Sequence, residues 1–148
     1  MMDQQKKNPA QTMTQHDAPI GIIEGFYGKH WPQQTRLALA PAFAATGVTF
    51  YIYAPKSDAW LRKAWHEPIP EFRLQELIQL SSVYQQHSIE FGIGLSPKDI
   101  WLDWGPATRR ALAQKIRALE TTNPSRLCIL LDDMHGKTDG LAIMQVEI

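Results

Sequence analysis

The sequence predicts an α/β fold with a parallel sheet, about four strands joined by three intervening helices. Three observations lead there. Short apolar, β-rich runs alternate with helical patterns. Two of the runs are almost continuously apolar, as strands covered on both faces are. A polar, aromatic, glycine-rich or acidic segment follows each run, which is where a parallel sheet carries its ligands.

The first strand is expected over residues 20–24 (IGIIE) and the second over 48–53 (VTFYIY). The third falls at 89–95 (IEFGIGL) and the fourth at 127–131 (LCILL), running into Asp132. Between the first two lies an Ala- and Leu-rich helix, Gln33 to Ala45, with Gly47 as its stop. Pro41 inside it is expected to kink or split it. Leu74, Leu77, Ile78, Ser81 and Tyr84 repeat at helical spacing and predict an amphipathic helix from Glu71 to His87. Pro106 suits a first helical turn, and Leu112, Ile116 and Leu119 form the buried stripe of the third helix. The order β-α-β-α-β-α-β closes either as a (β/α) barrel or as an open doubly wound sheet. No G-x-G-x-x-G or G-x-x-x-x-G-K-[ST] follows any strand, so a nucleotide-binding sheet loses support.

Composition narrows the function. A chain of 148 residues with 44% apolar content can bury a real core as one domain. Residues 1–19 are polar, lack an apolar signal-peptide core and read as a disordered leader, leaving 20–148 as the folded domain. Fifteen acidic residues balance fifteen basic ones, which removes the electrostatic footprint of a nucleic-acid binder. Lys6-Lys7 is the longest basic run, too short for a membrane-surface patch. No apolar stretch approaches the length of a membrane span, roughly 20 residues, so no membrane role is expected. The single cysteine, Cys128, forbids an intramolecular disulfide and fits a cytoplasmic setting; mid-strand, it reads as an inert core residue.

The strand ends nominate the site. Asp132-Asp133 directly follows five apolar residues, a costly place for two carboxylates unless they are paired or used. Like charges held close push one pKa upward, leaving one protonated acid beside one carboxylate, the division of labour in glycoside hydrolysis. The alternative is a capping Asp beside a solvated one. Lys56, after the second strand, can donate to a sugar hydroxyl; the alternative is a solvated lysine. Gly25 either lets backbone approach a ligand or serves a turn with positive φ. Tyr27, Trp31, Tyr53, Trp60 and Trp65 are candidates for a sugar platform or for plain core. Asp132, Asp133 and His135 could form a metal site, but D-D-x-H spacing without a second histidine is a poor ligand set, and no metal or other cofactor is expected.

Four blocks then occur in order and in register: I-I-E-G-F-Y-G-K-H-W at 22–31, Y-I-Y-A-P-K-S-D at 51–58, W-H-E-P at 65–68 and L-L-D-D-M at 130–134. Together they resemble the O-GlcNAcase-like β-N-acetylglucosaminidases of glycoside hydrolase family 84, also described as hyaluronidase-like. The resemblance implies a (β/α)8 TIM barrel, of which this chain carries the N-terminal half. It implies retaining, substrate-assisted removal of terminal β-linked N-acetylglucosamine from a glycoconjugate. The sugar's acetamido oxygen attacks the anomeric carbon to give an oxazoline, so no enzyme nucleophile is required, a departure from the two-carboxylate scheme. In the matching positions Asp132 orients the acetamido N–H and Asp133 is the general acid, then base. The Gly25 backbone and the Lys56 side chain hold sugar hydroxyls.

The stretch 96–100 (SPKDI) is shorter than the family's run, and Met134-His135 replaces its aliphatic–acidic pair. In the family, later strands contribute a tyrosine, an aspartate and asparagines around the sugar, and the 148 residues stop before any of them. The isolated chain is therefore expected to be weakly active or inactive. The alternative is a non-catalytic half-barrel that binds a sugar or a partner chain, with self-association through its exposed sheet edges.

Overall fold

A computed structural model of the chain describes residues 18–131. Most of the expected leader, and Asp132, Asp133 and His135, lie outside the described residues. The elements run β1 (Gly21–Glu24), α1 (Gln33–Ala45), β2 (Phe50–Tyr53), α2 (Glu71–Gln86), β3 (Glu90–Leu95), α3 (Pro106–Glu120) and β4 (Arg126–Ile129). Single 3-10 turns at Ala59–Leu61 and Ile100–Leu102 follow β2 and β3. The strands lie in the order β1-β2-β3-β4, all parallel. This is the α/β half-barrel arrangement of four strands and three crossover helices.

Register explains the core. Tyr51 pairs with Ile22 and Phe91, Tyr53 with Glu24 and Ile93, and Leu95 with Ile129. These residues share one face, and Tyr51, Tyr53, Phe91, Ile93 and Leu95 are wholly buried with the helices' Leu77, Leu80, Tyr84, Leu112 and Leu119. Tyr51 stacks on Tyr84 at 4.6 Å, which ties β2 to α2. On the opposite face Gly94 lies against Ala54, just after β2, and Leu130, just after β4. A Cβ at Gly94 would lie 2.6 Å from Ala54 Cβ and 2.7 Å from Leu130 Cδ1, so only glycine fits there.

The helix ends follow their sequence signals. Gly47 takes φ +80°. Its N–H donates to Ala44 O and the Val48 N–H to Phe43 O, a Schellman stop for α1. Ser88 has φ 58°. It closes α2 the same way, through Ile89 N–H to Tyr84 O.

Four expectations need correction. Helix α1 runs through Pro41 without splitting; the residue is exposed, so its ring faces water. Ile78 is 36% exposed, and Leu80 takes its place in the buried stripe of α2. Val48 and Thr49 precede β2: the Val48 N–H belongs to the α1 stop, and the Thr49 N–H donates to Ile20 O. Strand β4 begins at Arg126 and ends at Ile129, so Leu130 and Leu131 already belong to the segment leaving the sheet. No helix among the described residues is long and apolar enough to cross a membrane.

Candidate active site at the carboxyl ends of the strands

The end of β1 is fixed by a buried charge. Glu24 is 1% exposed. It receives Arg36 of α1 in a bidentate pair, Nε to Oε2 at 2.8 Å and Nη2 to Oε1 at 2.6 Å. The Tyr51 hydroxyl donates to the same carboxylate, and the Tyr84 hydroxyl donates to the Arg36 carbonyl at 3.0 Å. Burial first, and the Glu24 charge second, push the Tyr51 phenol well above its usual range, so it remains a donor. The guanidinium also lies 4.8 Å over the Tyr53 ring.

Gly25 leaves this anchor directly. Its N–H donates to Ile23 O at 2.9 Å, and φ is outside the positive region reserved for glycine. A Cβ here would meet only Ile23 Cγ2, at 3.6 Å. The positive-φ turn sits three residues on, at Gly28 (φ 99°). Neither backbone conformation nor packing requires glycine at position 25.

The end of β2 is held by a second buried acid, Asp58. It accepts from the Tyr53 hydroxyl at 2.8 Å, from Arg73 Nη2 at 2.8 Å, and from the backbone N–H groups of Trp60 and Leu61 at 3.1 and 3.3 Å. Its own N–H closes the turn onto Pro55 O at 2.9 Å. Lys56 is carried on that turn. The Lys56 N–H donates to Phe26 O at 3.4 Å, which brings the segments after β1 and β2 together, with Gly25 and Lys56 in them. His30 and Ser57 add a second link, Nδ1 to Oγ at 2.9 Å. The Lys56 ammonium is half-buried; burial, then the neighbouring Arg62 charge, hold its pKa below the usual lysine range.

The third strand end joins through backbone. Ser96 N–H donates to Leu61 O at 2.8 Å and Lys98 N–H to Arg62 O at 3.3 Å. Asp99 adopts a left-handed conformation, φ 61°, entering the 3-10 turn. After β4, Leu130 N–H donates to Leu95 O at 2.8 Å, so the chain proceeds toward Asp132 from the same end of the sheet. Among the described residues no group of His, Cys, Asp and Glu is arranged to hold a metal ion.

The aromatic candidates divide. Tyr53 and Trp65 are core, and Trp31 and Trp60 pack against it partly buried. Tyr27 is 62% exposed beside Arg62, whose Nη2 donates to its hydroxyl at 3.2 Å. Sequence reasoning missed the two buried acids and their arginines. Their signal was present: Glu24 closes the otherwise apolar β1, and Arg36 is the one charge in the Ala- and Leu-rich α1.

The sequence profile of a β-N-acetylglucosaminidase family matches residues 20–143. The Protein O-GlcNAcase sequences of Rattus norvegicus and Mus musculus are 30% identical to the chain over 115 residues, 77% of this chain and 12% of each relative. A solved structure of a mutant Thermobaculum terrenum O-GlcNAc hydrolase matches with a TM-score of 0.77 at 30% identity, covering 87% of this chain and 30% of that one. The structure of CpGH84B matches with a TM-score of 0.75 at 30% identity, covering 87% of this chain and 23% of that one. The chain therefore spans about an eighth of the curated relatives it matches and under a third of these solved chains. By profile, sequence and fold together, the chain belongs to the O-GlcNAcase-like β-N-acetylglucosaminidase family, glycoside hydrolase family 84, and contains the N-terminal half of its barrel.

Proposed function

We propose that the carboxyl end of this half-barrel is a binding and reaction site for terminal β-linked N-acetylglucosamine, worked by the retaining, substrate-assisted route. The observation that carries the reading is the Lys56 N–H to Phe26 O contact, which supports a single site containing Gly25 and Lys56 on the side toward which β4 leads. In this reading Asp132 orients the acetamido group, and its oxygen closes on the anomeric carbon to form the oxazoline. Asp133 protonates the leaving oxygen and then takes a proton from the incoming water. The Gly25 N–H is already bonded, so its carbonyl is the group that accepts from a sugar hydroxyl. Lys56 donates to another hydroxyl. Its lowered pKa favours a hydrogen-bonding lysine over a freely solvated one.

The test is hydrolysis of a chromogenic β-N-acetylglucosaminide. Turnover that vanishes in Asp133→Asn for poor leaving groups, and is partly kept for activated aryl ones, supports the general-acid role. Equal losses across leaving groups count against it.

The second reading is a non-catalytic half-barrel that binds the sugar, or a second copy. It is favoured by Ile20 and Ile23, exposed at 59% and 55% along the β1 side of the sheet. Sugar binding without turnover selects it, and concentration-dependent sedimentation tests pairing of β1 with β4 of a second chain. Absence of sugar binding, turnover and pairing together rejects both readings. A cytoplasmic setting, inferred from the single cysteine, completes the proposal.

A further inference from the structure

A lysine sits where the buried stripe of α3 calls for an apolar residue. Lys115 lies between Leu112 and Leu119 on the inward face and is only 4% exposed. An ammonium carries three donors. One donates to the Glu67 carbonyl at 2.6 Å, and the ammonium forms no other hydrogen bond among the described residues. A buried cation with unused donors is costly unless an anion meets it.

Lys115 lines a cavity of about 210 Å³ between α3 and the segment preceding α2. Pro68, Ile69, Ala111 and Ala118 supply apolar walls, and His66, Glu67 and Gln114 complete the polar side. The carboxylates near the ammonium are Asp58, from the turn after β2, and Glu67, from the segment before α2. Asp58 is already committed to Tyr53, Arg73 and two backbone donors, and Glu67 is exposed to water. They do not offset burial: desolvation brings the Lys115 pKa down to about 8.

We propose that this cavity is a binding site for a small monocarboxylate, held by the Lys115 ammonium with a short branched alkyl body against Pro68, Ile69, Ala111 and Ala118. One buried cation matches one negative charge. A phosphate dianion would leave a second charge uncompensated beside Glu67. Neither Gly25 nor Lys56 lines the cavity, so its test is separate from that of the proposed sugar chemistry.

The probe is isobutyrate, titrated into the 15N-labelled 148-residue chain near neutral pH and followed through the amides of Ala111, Gln114, Lys115 and Ala118, with chloride at matched ionic strength as the control. Saturable shifts confined to these residues are expected. Neutral isobutyramide should bind at least about tenfold more weakly, because it forfeits a charge-assisted hydrogen bond. Lys115→Met should abolish isobutyrate binding, and in the unsubstituted chain binding should weaken as pH rises past about 8. Equal affinity for acid and amide, or shifts no different from those with chloride, would overturn the proposal. The acid–amide comparison needs no variant, so it decides the matter even where Lys115→Met does not fold.

Discussion

The two halves of the sheet are held at their carboxyl ends by different physics. Strands β1 and β2 end in buried carboxylates, Glu24 and Asp58, each clamped by an arginine from the following helix and by a tyrosine hydroxyl. Among the described residues strands β3 and β4 end without such clamps: Leu95 and Leu130 are joined by a backbone hydrogen bond, and their ion pair, Glu90 with Arg126, lies exposed at the opposite end. Buried ion pairs contribute little net stability but are expensive to break from one side. The first half is thus rigidly specified at Gly25 and Lys56, whereas the second relies on apolar packing. That division suits a site whose binding groups come from β1 and β2.

The largest expected effect is at the β1 clamp. Arg36→Leu leaves Glu24 buried with, among the described residues, only Tyr51 as a charge-stabilising donor. It should cost about 3–5 kcal/mol in urea denaturation. Replacing both partners, with Arg36→Met and Glu24→Leu, should recover part of that loss, because no unpaired charge remains. If the single and double variants are equally destabilised, the charge is not what makes the clamp costly to break.

A smaller loss is expected on the opposite face of the sheet. Gly94→Ala would place a methyl 2.6 Å from Ala54 Cβ. It should cost about 1–3 kcal/mol through overpacking. Gly25→Ala, whose Cβ would make only an ordinary contact with Ile23 Cγ2, should leave the urea midpoint nearly unchanged while weakening sugar binding. A stability loss at Gly25 comparable to that at Gly94 would show a structural need for that glycine.

Lys115 offers a comparison within the helical layer. Its pKa is depressed to about 8 in the folded chain, against 10.5 unperturbed. Between those values the unfolded chain binds a proton that the folded chain does not, so stability rises with pH across the window. Below about 8 both forms are protonated and the burial penalty is fully present. Lys115→Met removes that contribution. The difference between chain and variant should therefore shrink from pH 8 upward, and a constant difference would sink the assignment.

These residues also mark what was legible in the sequence. Strand and helix order could be read because periodicity is local: Leu74, Leu77, Ser81 and Tyr84 declare a helix face without reference to any partner. Gly47 declared its stop for the same reason. The clamps could not be read, since whether Glu24 meets Arg36 depends on how α1 lies across the sheet. Lys115 occupied the stripe position between Leu112 and Leu119, yet its charge argued for the surface. Gly25 and Lys56 could be nominated because strand ends are where a parallel sheet binds, a rule of topology rather than of side chains. Of the acid pair, only the approach through Leu130 and Leu131 lies within the described residues.

The smallest effect is expected where the comparison is most easily misread. Arg126 and Glu90 form a close ion pair between β3 and β4, and on a contact diagram it resembles the Arg36–Glu24 clamp. Both side chains are about half exposed, at 48% and 50%. Water and salt screen the attraction, and either charge left alone is simply solvated. Arg126→Ala should therefore leave the urea midpoint unchanged, at low salt and at high. The Arg126 guanidinium also lies 5.2 Å over the Phe50 ring, so Arg126→Lys separates the loss of that stacking from the loss of charge. A midpoint shift in Arg126→Ala approaching that of Arg36→Leu would mean that exposure is not what distinguishes the two halves of the sheet.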